Sequence, residues 1–414
     1  MVASIFGYVV FLALAFVLRD RKITVRNWKP VGYGILFQLL IAFALTGLPF
    51  VVGGLEVVAN GVMKLKDVTL EGTKFVFGYV GGGDLPFNLK EGSIPFVFAF
   101  QALPTVIVVS ALAAILTHIR VLPVLAKYIG SVFKSVFNVN ESVGIVSAAK
   151  IFLGQLEAPL LIRHKLESLP RADVLVILSL AYATISASLM PIYAGVLTDV
   201  CPDAMRHIIT SSVISVISVL IVCQIMIPSD AKADLNVGED KSEQSPYPSF
   251  IGAMSKGLSD GAFVWWCIVG SLIGVVSLIA IANCILELLP SIGGTPITLQ
   301  RIFGIFMYPF AWLMGIQSQD ISAVSQILGS RIAINETIAF FDLAKTQISA
   351  DSVVKTIYAI NNFGNFACIG ITVGGLSAIA PGQKHITELA WKSFWAGLLA
   401  TGLTSTLMSV FLSF

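Results

Sequence analysis

Two short stretches of this chain gather amide, carboxylate and cationic groups inside otherwise apolar sequence. The first carries Lys150 and then Gly154-Gln155-Leu156-Glu157, with Pro159 just after. The second carries Gly329-Ser330-Arg331 and then Asn335-Glu336-Thr337, the same amide-then-carboxylate theme. Glycine permits the backbone of a break, and proline starts a new half-helix whose exposed amides favour a polar or anionic ligand. Glu157 and Glu336 have three chemistries open to them: binding hydroxyls, carrying protons, or pairing with Lys150 and Arg331. An acid/base pair would also use two carboxylates, but neither a nucleophile nor a metal-ligand set accompanies them. Two further interruptions follow, Thr184, Ser186 and Ser188 before Pro191, and Asn361-Asn362-Phe363-Gly364-Asn365-Phe366-Ala367-Cys368. The small hydroxyl residues equally suit helix packing, and Phe363 and Phe366 suit a core or a lipid face.

The elements that must hold these groups are set by composition. Of 414 residues 56% are hydrophobic and only 12% charged, against roughly 25% charged in a soluble domain. The apolar stretches are long and continuous, which selects a polytopic α-helical membrane protein over a β-barrel. A net charge of +2 without a basic tract gives no support to nucleic-acid binding. Cys201, Cys223, Cys267, Cys284 and Cys368 are scattered without metal-ligand spacing and read as packing residues, so neither a metal site nor a cofactor is expected. The first apolar run ends at Arg19 with no basic residues before it, which reads as a membrane helix and not a cleaved signal. His118, His164, His207 and His385 fall at span ends, as interface residues.

Eight spans are expected, over 2–18, 32–52, 95–117, 174–196, 208–228, 263–288, 353–380 and 389–412. The basic loop from Arg19 to Lys29 belongs inside, putting the N-terminus outside and the 53–94 loop on the outer face. Stretches 121–162 and 300–343 are too long for one crossing and too polar at their centres for two, so each becomes a re-entrant hairpin covered by protein or a water-filled cavity. Residues 229–260 form a polar cytoplasmic linker, and the C-terminus lies outside. Hairpin-span-span then occurs twice with opposite entry sides, an inverted-topology repeat that builds a site at the midplane. The expected units are an N-terminal scaffold (1–94), repeat one (95–228), the linker (229–262) and repeat two (263–414).

With these motifs in order, the chain resembles the concentrative nucleoside transporter family. Gly154-Gln155-x-Glu157-Ala158-Pro159-Leu160, Asn335-Glu336, Asn362-Phe363-Gly364-Asn365 and Gly374-Gly375-Leu376-x-x-x-Ala380-Pro381 carry the resemblance, which runs over nearly the whole chain, from the Arg19–Lys29 loop and Gln101-Ala102-Leu103-Pro104 to the C-terminal Phe-Leu-Ser-Phe. It implies a homotrimeric transporter in a bacterial inner membrane, with eight spans, an interfacial helix and two re-entrant hairpins in each subunit. It also implies a nucleoside site in which Gln155 and Glu157 meet the nucleobase, with Gly154 and Leu156 among the substrate-binding positions beside them. Glu336 and Asn365 would hold the ribose, and Phe363, Leu189 and Cys368 would line the pocket.

Three departures follow from matching residues. Leu156 stands where the family often has a small hydroxyl residue, and Cys368 where it has a serine. Most consequential, Lys150 stands where sodium-coupled members offer an asparagine; the remaining sodium-ligand positions match as Leu153, Thr184 and Ile185. A protonated lysine donates and cannot ligate Na⁺. Its ammonium can instead stand in for the ion, exchange protons, pair with Glu157, or snorkel to the inner face. The expectation is sodium-independent nucleoside uptake by alternating access, proton-coupled or uncoupled, with Na⁺ symport as the alternative. A channel or a membrane-embedded enzyme is the reading from another class, and no catalytic constellation supports an enzyme.

Overall fold

The computed structural model describes residues 2–20, 28–88, 95–229, 247–291 and 296–413, and the regular elements among them are all helical. An N-terminal scaffold comprises α1 (Val2–Val17), α2 (Lys29–Gly47) and α3 (Pro49–Phe77). Extended Leu48, followed by Pro49, ends α2 and starts α3. The expected outer loop is therefore largely helix. With Glu56, Lys64, Lys66, Asp67, Glu71 and Lys74 along it, α3 is too polar to span, and it falls where the resemblance implies an interfacial helix.

Repeat one runs through α4 (Phe98–Gln101), α5 (Thr105–His118), α6 (Val121–Phe137), α7 (Glu141–Ala149), α8 (Glu157–Leu160), α9 (Arg163–Leu166), α10 (Arg171–Ala183), α11 (Met190–Val196) and α12 (Ala204–Met226). Repeat two runs through α13 (Phe250–Leu286), α14 (Leu299–Leu313), α15 (Ile321–Ala333), α16 (Glu336–Lys345), α17 (Ala350–Ile360), α18 (Phe366–Ile379), α19 (His385–Glu388) and α20 (Ala390–Phe411). The packing follows the repeat. α6 lies on α7 as α14 lies on α15, and α10 meets α20 as α17 meets α12. Both helix–hairpin contacts are made at glycines. A Cβ on Gly144 would sit 2.4 Å from the Gly130 carbonyl oxygen, and one on Gly329 would sit 2.6 Å from the Gly304 nitrogen, so the backbones touch.

Five helices among the described residues are long and apolar enough to cross a membrane: α2, the α4–α5 unit, α12, α13 and α20. The sixteen-residue α1 and two broken spans, α10/α11 and α17/α18, complete eight crossings. Both breaks have local causes. At the first, Thr184 is extended and Pro191 opens the next half-helix. At the second, asparagine side chains compete for backbone groups, and Asn365 caps α18 by accepting from the Cys368 amide at 3.0 Å.

Hairpin one (α7 with α8–α9) opens on the face where Arg171 bonds Asp20 at 2.6 Å and Glu388 at 2.7 Å. On that face the Gln383 amide donates to the Leu166 and Leu169 carbonyls, and the Gln224 amide to Phe137 at the α6–α7 turn. Hairpin two (α15 with α16) opens on the opposite face, where Asp320 accepts from the amide and hydroxyl of Ser349. The two hairpins enter from opposite sides.

Three expectations need correction. Stretches 121–162 and 300–343 each contain a separate helix, α6 or α14, ahead of a shorter hairpin. α13 begins at Phe250, so the expected linker to 262 is cut short; Ser249 caps it, and a Lys256–Asp260 pair covers its polar first turns. The remainder of that linker, 230–246, and most of the basic Arg19–Lys29 loop lie outside the described residues.

Candidate solute-binding site

The tips of both hairpins and both span breaks surround one cavity of about 340 Å³. Gly154, Gln155, Leu156, Glu157, Leu189, Glu336, Phe363, Asn365 and Cys368, the nine residues singled out from the sequence, all line it. Ser186 and Ser188 join them, their hydroxyls 2.7 Å apart, and α13 closes one side. Phe366 does not take part. It stacks on Phe394 at 5.7 Å, which separates the roles of two aromatics that composition left equivalent.

The repeat-two half of the cavity is polar and fully braced. Asn335 caps α16 by accepting from the Ile338 amide at 3.0 Å, which puts Glu336 in the first turn, at the positive end of the helix. Glu336 is 6% exposed; its carboxylate accepts from the Tyr193 hydroxyl at 3.0 Å and from the Asn365 amide at 3.3 Å. Tyr193 is also within 2.9 Å of the Thr337 hydroxyl and stacks on Phe340 at 4.4 Å, a contact worth about 1 kcal/mol. The sequence reading missed Tyr193. Its signal was a tyrosine two residues after the proline of a broken span, whose hydroxyl must find a partner when buried.

The repeat-one half is looser. Glu157 is exposed towards the cavity, and its carboxylate accepts from the Gly154 amide at 3.0 Å, bracing the break across which α7 gives way to α8. The Thr372 hydroxyl sits 3.5 Å from the Gln155 side-chain oxygen, leaving the Gln155 amide hydrogens for a ligand.

Lys150, Leu153, Thr184 and Ile185 lie together behind the cavity, all buried. Lys150 is 1% exposed; its ammonium donates to the Thr184 carbonyl at 3.5 Å and lies 5.7 Å from the centre of the Phe363 ring. That ring is the wall between the ammonium and the cavity, and a desolvated cation–π contact contributes about 2 kcal/mol. The Thr184 hydroxyl is turned back onto Leu180. Two suggested pairings are absent. Among the described residues no ion pair joins Lys150 to Glu157 or Arg331 to Glu336, and Lys150 does not snorkel.

Away from the cavity, Cys201, Asp203 and His207 bring their ligand atoms within 4.8 Å of one another, a grouping the cysteine spacing did not flag. Asp203 already binds Arg206 and His207, and the His207 hydrogen bond in particular holds its carboxyl well below the usual range. An ion pair at a helix start accounts for the group.

Comparison with known proteins agrees along the whole chain. Residues 6–80 match the Na⁺ dependent nucleoside transporter N-terminus, 99–199 the nucleoside recognition "Gate" family, and 207–409 the Na⁺ dependent nucleoside transporter C-terminus. A transporter of Haemophilus influenzae is 27% identical over 99% of this chain and 97% of its own length. Human sodium/nucleoside cotransporter 1 is 26% identical over 95% of this chain and 61% of its own length. The structure of CNTnw in an inward-facing substrate-bound state superposes with a TM-score of 0.88, at 25% identity, over 100% of this chain and 98% of that one.

Proposed function

This chain belongs to the concentrative nucleoside transporter family and is a nucleoside transporter, and we propose that it takes up nucleosides without sodium. Lys150 is a tethered substitute for the ion. The observation that carries this reading is the buried ammonium on the Thr184 carbonyl, against the Phe363 ring. In sodium-coupled members the resemblance puts the ion among the matching positions, so a bound Na⁺ would bring the half-helix C-terminus and the solute wall together. A protonated lysine does the same without a dissolved ion, because its stem delivers one positive charge to the carbonyl end of α10. Proton exchange at Lys150 provides a coupling route that a fixed ion lacks.

The solute lies across the cavity with its base towards Gln155 and Glu157 and its ribose towards Glu336 and Asn365. A nucleobase edge offers donors and acceptors to an amide and a carboxylate, and a sugar diol donates to a carboxylate already oriented by Tyr193. Gly154, Leu156, Leu189, Phe363 and Cys368 complete the pocket by shape. Supporting contacts are the two asparagine-capped half-helices, α16 and α18, which begin beside this cavity. We place the carrier in a bacterial inner membrane as a homotrimer with both termini outside. The exposed apolar faces of α3 and α13, where Phe50, Phe75 and Trp266 stand out, suit subunit and lipid contact.

Sodium symport is the competing reading, favoured by the description of the matching family as Na⁺ dependent. Uptake of labelled uridine, adenosine and guanosine into proteoliposomes under imposed Na⁺ or H⁺ gradients separates the two. Accumulation that requires Na⁺ and ignores pH would overturn the lysine argument.

A further inference from the structure

Arg331 has no role in any of the chemistry above, yet among the described residues it is the largest fully buried side chain, 2% exposed in the last turn of α15. Among the described residues no carboxylate is within ion-pair distance. A guanidinium buried without a counter-ion is costly, and it persists where oriented dipoles replace the water. Here the dipoles belong to the break in the second broken span. Its Nη1 donates to the Ala359 carbonyl at 3.3 Å and to the Asn362 side-chain oxygen. The same Asn362 oxygen accepts from the Gly364 amide at 3.1 Å, while the Asn362 amide donates to Ala359 at 2.8 Å. A Cβ on Gly364 would sit 3.3 Å from Nη1, so the chain closes tightly over the guanidinium.

This arrangement matches Lys150 in repeat one. Each cation leaves the end of the first hairpin arm and stands on a carbonyl where the first half-helix of the neighbouring broken span ends. The residues fixed by the second cation are those beside Phe363 and Asn365. Asn365 spends its oxygen on capping α18, which turns its amide towards Glu336.

We propose that Arg331 is a positioning residue for the sugar half of the site: by holding residues 359–364 it sets Asn365 against Glu336, and so sets discrimination for ribose hydroxyls. This rests on reading the cavity as a nucleoside site. The guanidinium does not touch solute; it acts through Asn362 and the backbone of the break.

The test is competition binding of uridine and 2′,3′-dideoxyuridine to the purified full chain, on wild type, Arg331→Met, Arg331→Lys and Asn362→Ser. Wild type should favour uridine by about 10-fold or more. Arg331→Met should weaken uridine about 10-fold while moving dideoxyuridine less than about 3-fold, collapsing the preference. Arg331→Lys should recover part of it. Asn362→Ser keeps the charge and withdraws the acceptor from reach of the guanidinium, so it should reduce the same preference even if Arg331→Met does not fold. Equal weakening of both ligands, or an unchanged preference in the folded variants, overturns the inference about Arg331. A wild type that binds neither ligand overturns the nucleoside reading beneath it.

Discussion

The two hairpin tips face one cavity but are built to different degrees of order. In repeat two, Glu336 is buried, capped into place and held by Tyr193 and Asn365 before any solute arrives. In repeat one, Glu157 is exposed and, among the described residues, hydrogen-bonds the amide of its own turn, while Gln155 has one long hydrogen bond. Preorganised groups lose little entropy on binding and discriminate sharply, whereas a loose pair adapts to different partners. In the proposed nucleoside orientation the repeat-two half meets the pentose, which every ribonucleoside shares, and the repeat-one half meets the base, which differs among them. A rigid sugar half and an adaptable base half therefore suit a carrier that accepts more than one base.

The sharpest way to break this contrast is Glu336→Gln, which removes the charge that Tyr193 and Asn365 are arranged around. Uridine affinity should fall about 100-fold, measured by equilibrium binding; unimpaired binding would remove Glu336 from the site. Next is Lys150→Asn, which restores a side-chain acceptor where the ammonium stood. Uptake without Na⁺ should fall about 10-fold and Na⁺ should restore it, because an uncompensated carbonyl end then needs a dissolved cation. If ion dependence is unchanged, Lys150 is not the substitute. Tyr193→Phe deletes one hydrogen bond to a carboxylate and keeps the stacking on Phe340, so the KM for uridine should rise about 5- to 10-fold, with dideoxyuridine little affected. Leu156→Thr, on the adaptable side, should alter the purine-to-pyrimidine ratio by only about 3-fold.

The smallest effect lies outside the cavity. The Asp203 carboxyl is lowered by His207, so its contribution to stability is present above the ordinary carboxylate range and lost as pH falls through the lowered value. Asp203→Asn should cost stability at neutral pH and less in acid, by under about 1 kcal/mol because the side chain is half exposed. Thermal unfolding at two pH values reads it.

What was legible in the sequence follows from cost. A glutamate, a lysine or an asparagine inside an apolar run is conspicuous because burial penalises it, and those residues led directly to the cavity wall and to the group behind it. Span breaks were legible at Pro191 and at the asparagine run for the same reason. Tyr193 and Arg331 were harder. A tyrosine counts as apolar in composition, and the arginine had an obvious carboxylate five residues away that geometry does not give it. Helices α6 and α14 were invisible as separate elements, because an apolar run carries no mark of where it folds back. The early start of α13 was hidden by its polar first turns. Lys256 and Asp260 look like linker until their spacing of four is read as one helical face.

Whether Lys150 replaces the coupling ion is decided by a uridine-uptake assay on proteoliposomes in which choline replaces all sodium. With a tethered ammonium in the ion's place, the initial rate should stay within about 2-fold of the sodium value. A fall of about 10-fold or more, restored by Na⁺ with a saturable dependence, would contradict it.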